Sequence, residues 1–437
     1  MSDWRAKYGQ ALSRGGEWLK DLRDGDHIFV GSAAGEPTTL IDQLIEASQS
    51  DELPRLVVYQ MLRGGAQRLL KVAGEHLQIV GLTANEELNR LLGRGYGSFL
   101  PTTIHQTARA IAERRLVIDV VILQVTPPDQ EGRLSLGISA DFALQACEQS
   151  RFIVAEVNDR LARTCGAFLH ASKLSAAIET SVAVREVPLD PADKEARRIA
   201  EHVAELVPDG ATIEIGVGAI MTAVLEALAG HRRLGLHTGL MIDPMVPLIT
   251  QGAVTNEEKS IDRGTSVANQ ARGTRLLYDF LNDNPLVAMK PALYTHDHKV
   301  LTSLPAFRAI NSAIEVDVLG QVNSEFLNGR RVSGTGGLAD FVRAAHDSTN
   351  GRSIIALRST AVQRSVSRIV SRLDPSAGVT LTADLADFVV TEHGVADLRG
   401  KDARARHESL IAVADPQFRD QLRAELGASA RAGGSSS

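Results

Sequence analysis

Several apolar runs in this chain are nearly continuous, and this feature limits the possible folds most strongly. Residues 56–62, 117–125 and 152–157 carry apolar side chains at successive positions rather than at every second position. A strand with one face in water alternates apolar and polar residues, whereas a strand covered on both faces has no such need. The runs therefore predict an α/β fold in which largely parallel sheets have helices on both faces.

The chain of 437 residues is long enough for two such domains. Residues 187–191 (VPLDP) contain two prolines and interrupt the pattern. Asp190 can cap, and Pro191 can open, a helix that carries Ile199 and Val203 at helical spacing. We therefore predict an open α/β domain at residues 1–187, a second at 188–430 and a disordered tail at 431–437.

The composition excludes several classes of protein. The chain has 47 Lys and Arg against 53 Asp and Glu, and only 4% aromatic residues, so a nucleic-acid partner is not expected. Its two cysteines, Cys147 and Cys165, give neither a disulfide scaffold nor a zinc motif, and they favour a reducing compartment. No apolar stretch approaches the roughly 18 residues of a membrane span. We expect a soluble cytoplasmic protein without a membrane partner.

A strand, a glycine-containing turn and a helix follow one another twice. The first set begins with HIFVGS at residues 27–32 and continues through AAGEP at 33–37. The second begins with ATIEIGVG at 211–218, where Gly216 and Gly218 form the turn. This recurrence indicates two related α/β halves.

The densest glycine cluster is SGTGGLADF at residues 333–341, which contains Gly334, Gly336 and Gly337. Successive glycines allow backbone N–H groups to converge on an anion or a developing oxyanion, and Asp340 could cap the helix that follows. A flexible turn explains the spacing equally well. The segment is neither a Walker loop nor a dinucleotide-binding GxGxxG motif.

Residues 235–244 (GLHTGLMIDP) predict a glycine-bordered loop after a short strand, with His237, Thr238 and Asp243 close together. His237 could act as an acid or base, or donate to a thioester carbonyl, because an imidazole titrates near neutral pH. A structural histidine with satisfied hydrogen bonds is the more common alternative. The HDH sequence at 296–298 could ligate a metal, but adjacent residues seldom face one ion, so we favour a solvated loop and expect no metal site.

Seven motifs, in order along the chain, resemble the acetyl-CoA hydrolase/transferase family, which contains 4-hydroxybutyrate and butyrate:acetate CoA-transferases. They are TPPDQEGRLSLGIS (126–139), AEVNDRLARTCG (155–166), IEIGVGAI (213–220), GLHTGLMID (235–243), INSAIEVDVLGQVNSE (310–325), SGTGGLADF (333–341) and VVTEHGVADLRGK (389–401). The resemblance covers roughly residues 10–425 and includes both predicted domains.

The resemblance implies the class I CoA-transferase fold, with acyl-CoA in a cleft between two open α/β domains of a homo-oligomer. Members of this family transfer CoA between carboxylic acids through a glutamate. Its carboxylate attacks the acyl-CoA, and a glutamyl-CoA thioester forms and is then consumed by an incoming carboxylate. Such catalysis needs a carboxylate at the cleft and donors for the tetrahedral oxyanion. Coenzyme A is thus part of the substrate, and no prosthetic group is implied.

One departure from the family pattern concerns this glutamate. The family carries it in a motif that reads His-Thr-Glu, and the matching residues here are His237, Thr238 and Gly239. Glycine has no side chain, so the covalent intermediate cannot form at position 239. Loss of an activated nucleophile ordinarily costs several orders of magnitude in rate.

Three interpretations are consistent with this departure. In the first, the pocket hydrolyses an acyl-CoA, the space at Gly239 holds water or a bulkier acyl group, and Glu325, Asp243, Glu392 or His237 acts as the base. In the second, Glu325 or Glu392 replaces the missing nucleophile, although a hydrogen-bond acceptor that orders its loop is the more common role for each. In the third, the chain only binds acyl-CoA, or is the inactive subunit of a complex. We favour hydrolysis slightly over CoA transfer to a carboxylate acceptor.

Residues that bind acyl-CoA follow from the resemblance alone. Backbone contacts to the thioester or pantetheine are expected from Gly334, Gly336 and Gly337, and a second turn lining the cleft from Gly216 and Gly218.

Overall fold

A computed structural model describes residues 17–50, 53–61 and 68–433. They form two compact units. Unit 1 contains the described residues up to Pro188 together with 237–246 and 265–297, and unit 2 contains 189–236, 247–264 and the described residues from His298 onwards. One change of unit thus falls between Pro188 and Leu189. The two later segments that return to unit 1 differ from the prediction of two contiguous halves.

The described residues up to 188 form ten strands, four α-helices and short 3₁₀ turns. The strands are β1 (Asp26–Val30), β2 (Leu56–Gln60), β3 (Leu77–Gly81), β4 (Gly97–Phe99), β5 (Val120–Val125), β6 (Arg133–Ser135), β7 (Phe152–Asn158), β8 (Cys165–Gly166), β9 (Phe168–His170) and β10 (Ala176–Thr180). The α-helices are α1 (Thr38–Ala47), α2 (Glu86–Arg94), α3 (Ile104–Ala112) and α4 (Ala143–Gln149). Short 3₁₀ turns lie at Glu17–Asp21, Ala33–Gly35, Leu69–Lys71 and Ala171–Lys173.

Seven strands of unit 1 form one sheet in the order β10-β7-β5-β1-β2-β3-β4, and every neighbouring pair is parallel. The sheet is covered on both faces. Ile28 and Phe29, which are consecutive in β1, belong to two different apolar clusters. All residues of β5 and β7 are buried. The predicted α/β fold with largely parallel strands is therefore confirmed.

The elements after residue 188 are as follows. The strands are β11 (Thr212–Ile215), β12 (Gly235–Met241), β13 (Ser266–Ala271), β14 (Val287–Met289), β15 (Arg308–Asn311), β16 (Glu315–Asp317), β17 (Val322–Asn323), β18 (Phe326–Leu327), β19 (Arg330–Arg331), β20 (Arg352–Ala356), β21 (Thr360–Ala361), β22 (Val366–Ser367), β23 (Ile369–Val370), β24 (Phe388–Thr391) and β25 (Gly394–Asp397). The α-helices are α5 (Lys194–Ala204), α6 (Ala219–Ala227), α7 (Met245–Thr250), α8 (Arg275–Leu281), α9 (Ala292–Thr295), α10 (His298–Thr302), α11 (Leu338–Asp347), α12 (Ala403–Val413) and α13 (Arg419–Gly433), with 3₁₀ turns at Leu228–Gly230 and Pro416–Phe418.

Strand β12 is divided between the units. Its residues Gly235 and Leu236 pair with β11 in unit 2, and from His237 onwards it pairs with β13 in unit 1. The strands of unit 2 lie in the order β25-β24-β20-β15-β11-β12 and are parallel except for β25. In unit 1, β12, β13, β14 and β8 are mutually parallel neighbours.

Three local predictions differ from the structure. Helix α5 begins at Lys194 and is capped by Asp193, which accepts a hydrogen bond from Ala196 N at 2.9 Å, so Asp190 is not its cap. Asp340 lies inside the first turn of α11, whose N-cap is Gly337. The predicted tail at 431–437 overlaps α13 as far as Gly433, and residues 434–437 lie outside the described residues.

Cys147 is a free cysteine that is buried in α4. Across the described ranges, no helix has the length and apolar character needed to cross a membrane.

Candidate active site

Strand β12 carries His237, Thr238 and Gly239. The prediction of a loop is wrong here, because residues 235–241 are extended and paired with β11 and β13. His237 and Thr238 are fully buried, whereas Gly239 is partly exposed. Side chains alternate along a strand, so a side chain at position 239 would lie on the same face as His237. On this face of β12, Gly235, His237 and Met241 are buried, and only position 239 is partly exposed.

His237 is held by contacts within unit 1. Its Nε2 donates a hydrogen bond to the backbone oxygen of Thr295 at 3.0 Å. Its ring stacks against Tyr294, with ring centroids 6.3 Å apart and planes 28° from parallel. Because these contacts bury the imidazole completely, the geometry favours the structural alternative over an acid–base role.

The HDH sequence is not a solvated loop, because His296 is buried at the end of α9. Its Nδ1 lies 2.8 Å from Thr295 Oγ1. Burial, together with electrostatic interactions with His237 and His105, lowers the pKa of His296 to about 3. His296 is therefore neutral at physiological pH. Within the described ranges, no three His, Cys, Asp or Glu side chains are grouped so that they could hold a metal ion.

Asp243 connects the end of β12 to α8. Its carboxylate accepts hydrogen bonds from Thr274 N at 3.0 Å and Thr274 Oγ1 at 2.8 Å, and Thr274 is the N-cap of α8. A Cβ on Gly273 would lie 2.5 Å from Asp243 Oδ2, so this glycine allows the carboxylate to approach the backbone. These contacts make Asp243 an anchor for the connection between β13 and α8.

The neighbour of Gly239 in the sheet is Asn269. The register pairs Thr238 with Ala268 and Leu240 with Gln270, which places Asn269 opposite Gly239 and on the same face. The Asn269 amide donates to Lys290 O at 2.9 Å. Position 239 therefore has a buried amide as its lateral neighbour and no side chain of its own.

Glu325 is placed in unit 2, where it organises the glycine loop. Its carboxylate pairs with Arg331 and accepts a hydrogen bond from Thr335 Oγ1 at 3.0 Å. Its backbone oxygen accepts from Val332 N at 2.7 Å. Gly336 has φ +57°, and Gly337 is the N-cap of α11. Glu325 thus holds the loop that leads to Gly336, which is the loop-ordering role that the sequence left open.

Glu392 is also buried in unit 2, but its partners lie elsewhere. Its two carboxylate oxygens accept from Ser359 N at 2.9 Å and from Ser359 Oγ at 2.6 Å. The Glu392 carboxylate therefore fixes the segment that follows β20. The hydrogen-bond partners of Glu325 and Glu392 do not overlap.

The turn between β11 and α6 contains Gly216 and Gly218. A Cβ on Gly216 would lie 3.0 Å from Asn311 Oδ1. Gly218 is the N-cap of α6 with φ +117° and ψ 173°, a conformation that is essentially restricted to glycine. The two glycines are thus required for different reasons, a close side-chain contact at one and the backbone conformation at the other.

Glu214, just before this turn, was not selected from the sequence. It is 3% exposed, and Asn311 Nδ2 donates to its Oε2 at 2.7 Å. Burial raises the pKa of Glu214 to about 8, and the hydrogen bond from Asn311 opposes this only in part. In the sequence, Glu214 could have been noticed as the one carboxylate in the segment TIEI, which forms β11.

Two further buried carboxyls in unit 1 were also missed. Glu36 accepts a hydrogen bond from Gln60 Nε2 at 2.9 Å, and burial raises its pKa to about 7 against the opposing charges of Arg185 and Arg68. Asp141 accepts from Ser139 Oγ at 2.8 Å and from the Gln270 amide, and burial raises its pKa to about 6.

Glu156, in β7, occupies the N-terminus of α1. Its carboxylate accepts from Thr39 N at 2.8 Å, Leu40 N at 3.4 Å, Thr39 Oγ1 at 3.0 Å and Thr180 Oγ1 at 3.1 Å. The protein thus supplies its own anion at this helix end, where N–H groups and the helix dipole favour negative charge.

The structure therefore divides the predicted site residues between the two units. Unit 1 contains His237, Gly239 and Asp243, and unit 2 contains Glu325, Glu392 and the glycines at 216, 218, 334, 336 and 337.

The chain is similar to known proteins over almost its whole length. It matches the acetyl-CoA hydrolase/transferase N-terminal domain over residues 1–196 and the C-terminal domain of the same name over residues 273–426. It is 32% identical to the 4-hydroxybutyrate coenzyme A transferase of Clostridium kluyveri over 425 residues, which cover 97% of this chain and 99% of that protein.

A second relative and a solved structure are also similar to the chain over most of its length. The succinyl-CoA:acetate/propanoyl-CoA:succinate CoA transferase of Fasciola hepatica is 35% identical over 97% of this chain and 89% of that protein. The structure of 4-hydroxybutyrate CoA-transferase from Porphyromonas gingivalis superposes with a TM-score of 0.81 at 31% identity and covers 97% of this chain and 99% of that one. With two domains and overall fold in agreement, the chain belongs to the acetyl-CoA hydrolase/transferase family.

Proposed function

We propose that this chain processes acyl-CoA thioesters, and that it hydrolyses them in preference to transferring CoA to a carboxylic acid. Gly239 carries this proposal. It stands where the family motif places the glutamate nucleophile, at a partly exposed point of β12, and it has no carboxylate to become acylated. Coenzyme A enters as part of the substrate, and the chain acts as a homo-oligomer.

The contacts of the other candidate residues support hydrolysis over a substitute nucleophile. A nucleophilic carboxylate needs an oxygen that can reach the thioester. Arg331 and Thr335 hold the carboxylate of Glu325, and Ser359 holds both oxygens of Glu392. Attack by either glutamate would require these bonds to break, whereas attack by water beside Gly239 would not.

A second candidate function is acyl-CoA binding without catalysis, either alone or as the inactive subunit of a transferase complex. The missing nucleophile favours it, and the ordered glycine turns at Gly218 and Gly336 are compatible with binding. A thiol-release assay with purified protein and a series of acyl-CoAs, with and without acetate or succinate, separates the functions. A hydrolase releases thiol without an acceptor, a transferase exchanges CoA only with one, and a binding protein does neither.

Replacement of the glycine gives the sharpest test. We expect Gly239→Glu to increase CoA exchange with acetate by at least about 100-fold, because it restores the side chain that the family uses for covalent catalysis. Hydroxylamine or borohydride should then trap a thioester on residue 239, as shown by peptide mass spectrometry. Gly239→Gln is the matched control, since it adds equal bulk without a nucleophile.

Efficient exchange by the wild-type chain would contradict the preference for hydrolysis. The double variant Glu325→Gln and Glu392→Gln then shows whether either glutamate replaces the nucleophile, because retention of full exchange would exclude both.

A further inference from the structure

The N-terminus of α6 is open, although the helix lies at the end of a buried strand. Gly218, its N-cap, provides no side chain. Throughout the described ranges, no side chain or backbone oxygen accepts a hydrogen bond from the N–H groups of Ala219, Ile220 or Met221. Unpaired N–H groups at a helix N-terminus, together with the helix dipole, favour an anion.

A second observation comes from Glu214, two residues before Gly216. Asn311 occupies its Oε2, and within the described residues its Oε1 has no hydrogen-bond partner, although the side chain is only 3% exposed. Asn311 also lies against the turn, because its Oδ1 is 3.0 Å from a Cβ built on Gly216. One amide therefore holds the Glu214 carboxyl beside the glycine turn.

The topology places Glu214 and Asn311 where open α/β sheets bind ligands. The strand that follows β11 in the chain, β12, lies on one side of it, and β15 lies on the other. Ligands bind beyond the carboxyl ends of the strands at such a reversal of strand order. Glu214 is the next-to-last residue of β11 and Asn311 is the last of β15, so both lie at these ends.

We propose that the N–H groups at the start of α6 and the Glu214 carboxyl together bind the carboxylate of a carboxylic acid. The acid is the hydrolysis product or the CoA acceptor, so this inference rests on the proposed function and names a substrate-binding residue for it. Glu214 is the hydrogen-bond donor through Oε1, and Asn311 is the positioning residue that orients it.

The protonation state and the charge of the site agree with a singly charged ligand. Burial raises the pKa of Glu214 to about 8, so at pH 7 the group carries the proton that it donates and does not repel an anion. No cationic side chain contributes to this shift. A dianionic phosphate would lack a compensating charge here, which favours a carboxylate.

The test measures binding of acetate, butyrate and succinate by calorimetry or ligand-observed NMR, from pH 6.5 to 9, with inorganic phosphate as a further probe. Carboxylate affinity of the wild-type chain should fall about tenfold per pH unit above pH 8, as a required proton is lost. Glu214→Gln keeps a donor that does not titrate, so its affinity should be independent of pH over this range. Glu214→Leu should bind at least about tenfold more weakly at pH 7.

Glu36→Gln is the matched control, because it removes the corresponding buried carboxyl of unit 1 and should leave the carboxylate affinity and its pH profile unchanged. Wild-type affinity in Glu214→Leu, or a wild-type pH profile in Glu214→Gln, would overturn the proposal. If the leucine variant does not fold, the pH profile of the glutamine variant decides alone. Stronger binding of phosphate than of acetate would also contradict a carboxylate site.

The proposed hydrolysis of acyl-CoA and the proposed carboxylate site at Glu214 can fail separately. Thiol release by a chain that binds none of the three acids would overturn the carboxylate site and leave hydrolysis intact. Carboxylate binding that depends on Glu214, without thiol release or CoA exchange, would retain the site and overturn the proposed reaction.

Discussion

The strand–turn–helix segments at β1–α1 and β11–α6 have the same position in their sheets. In unit 1 the next strand along the chain, β2, lies on one side of β1 and β5 lies on the other; in unit 2, β12 and β15 flank β11 in the same way. Each segment also buries a glutamate that receives a hydrogen bond from an amide, Glu36 from Gln60 and Glu214 from Asn311. The two halves thus share a local design as well as a fold class.

The segments differ at the helix N-terminus. The carboxylate of Glu156 accepts from Thr39 N and Leu40 N at the start of α1, whereas no group in the described ranges does this at the start of α6. One position is filled by the protein and the other is open to a ligand. A strand–turn–helix segment is therefore a candidate binding site only where the backbone N–H groups at the start of its helix have no acceptor within the protein.

The first prediction removes the anion at the start of α1. Glu156→Ala should lower the free energy of unfolding by about 3–4 kcal/mol, because it leaves a buried donor on Leu40 and partly buried donors on Thr39 and Thr180 without an acceptor. Urea denaturation followed by circular dichroism measures this loss. Glu156→Gln, which retains one acceptor oxygen, should lose less. A stability equal to that of the wild type would show that α1 needs no built-in anion, and the contrast with α6 would then have no energetic basis.

The second prediction compares the glycines of the two turns. A Cβ on Gly35 would lie 2.8 Å from the Cβ of Ser139, so Gly35→Ala should cost about 2 kcal/mol through a steric clash. Gly218→Ala should cost a similar amount through its φ of +117°, since a Cβ there meets nothing within 4 Å. Ser139→Gly should restore much of the stability of Gly35→Ala.

Gly31→Ala is the control for these substitutions, because its new Cβ would make only ordinary contacts at 3.6 Å or more. Thermal unfolding of the single and double variants measures the effects. Failure of Ser139→Gly to rescue Gly35→Ala would mean that the contact with the Cβ of Ser139 is not the source of the destabilisation.

The third prediction concerns the pH dependence of stability. A carboxyl whose pKa is raised by folding binds its proton more tightly in the folded state, so its contribution to stability falls as the pH rises from the unfolded value to the folded one. For Glu36 this window ends near pH 7, and for Glu214 it ends near pH 8. Between pH 7 and 8, wild type should therefore lose up to about 1.4 kcal/mol relative to Glu214→Gln.

Relative to Glu36→Gln, the stability of the wild type should change much less over the same interval, because Glu36 is already about half ionised at pH 7. Glu36 has the lower pKa of the two because the charges of Arg185 and Arg68 oppose the effect of burial there, whereas no cation does so at Glu214. Urea titrations at pH 5, 6, 7 and 8 measure both differences. Identical pH profiles for the two variants would remove this distinction between the segments.

Local sequence patterns predicted much of the fold. The apolar runs became β2, β5 and β7 because a strand buried on both faces needs apolar side chains throughout. The glycine turn before α6 also lies where the sequence placed it. The start of α5 was misplaced by three residues because Asp190 and Asp193 are both good caps, and only the observed backbone distinguishes them.

The site was less predictable. The segment around Gly239 was expected to be a loop because glycine usually interrupts strands, but pairing with β13 keeps it extended. The burial of His296 was missed for a similar reason, since a polar HDH sequence gives no sign of the packing that lowers the pKa of this histidine to about 3. Glu214 is a single carboxylate in a buried strand, and a sequence cannot show whether such a group is paired.

By itself, the sequence determined the alternation of strands, turns and helices, the motifs shared with the family and the absence of a side chain at position 239, because each is a property of consecutive residues. Only the folded structure shows which carboxyl groups are neutral, which are paired and which helix N-terminus is open. Those properties depend on residues far apart in the chain, such as Glu156 with Thr39 and Glu214 with Asn311. Burial and hydrogen bonding, which control proton affinity, exist only once these residues are brought into contact.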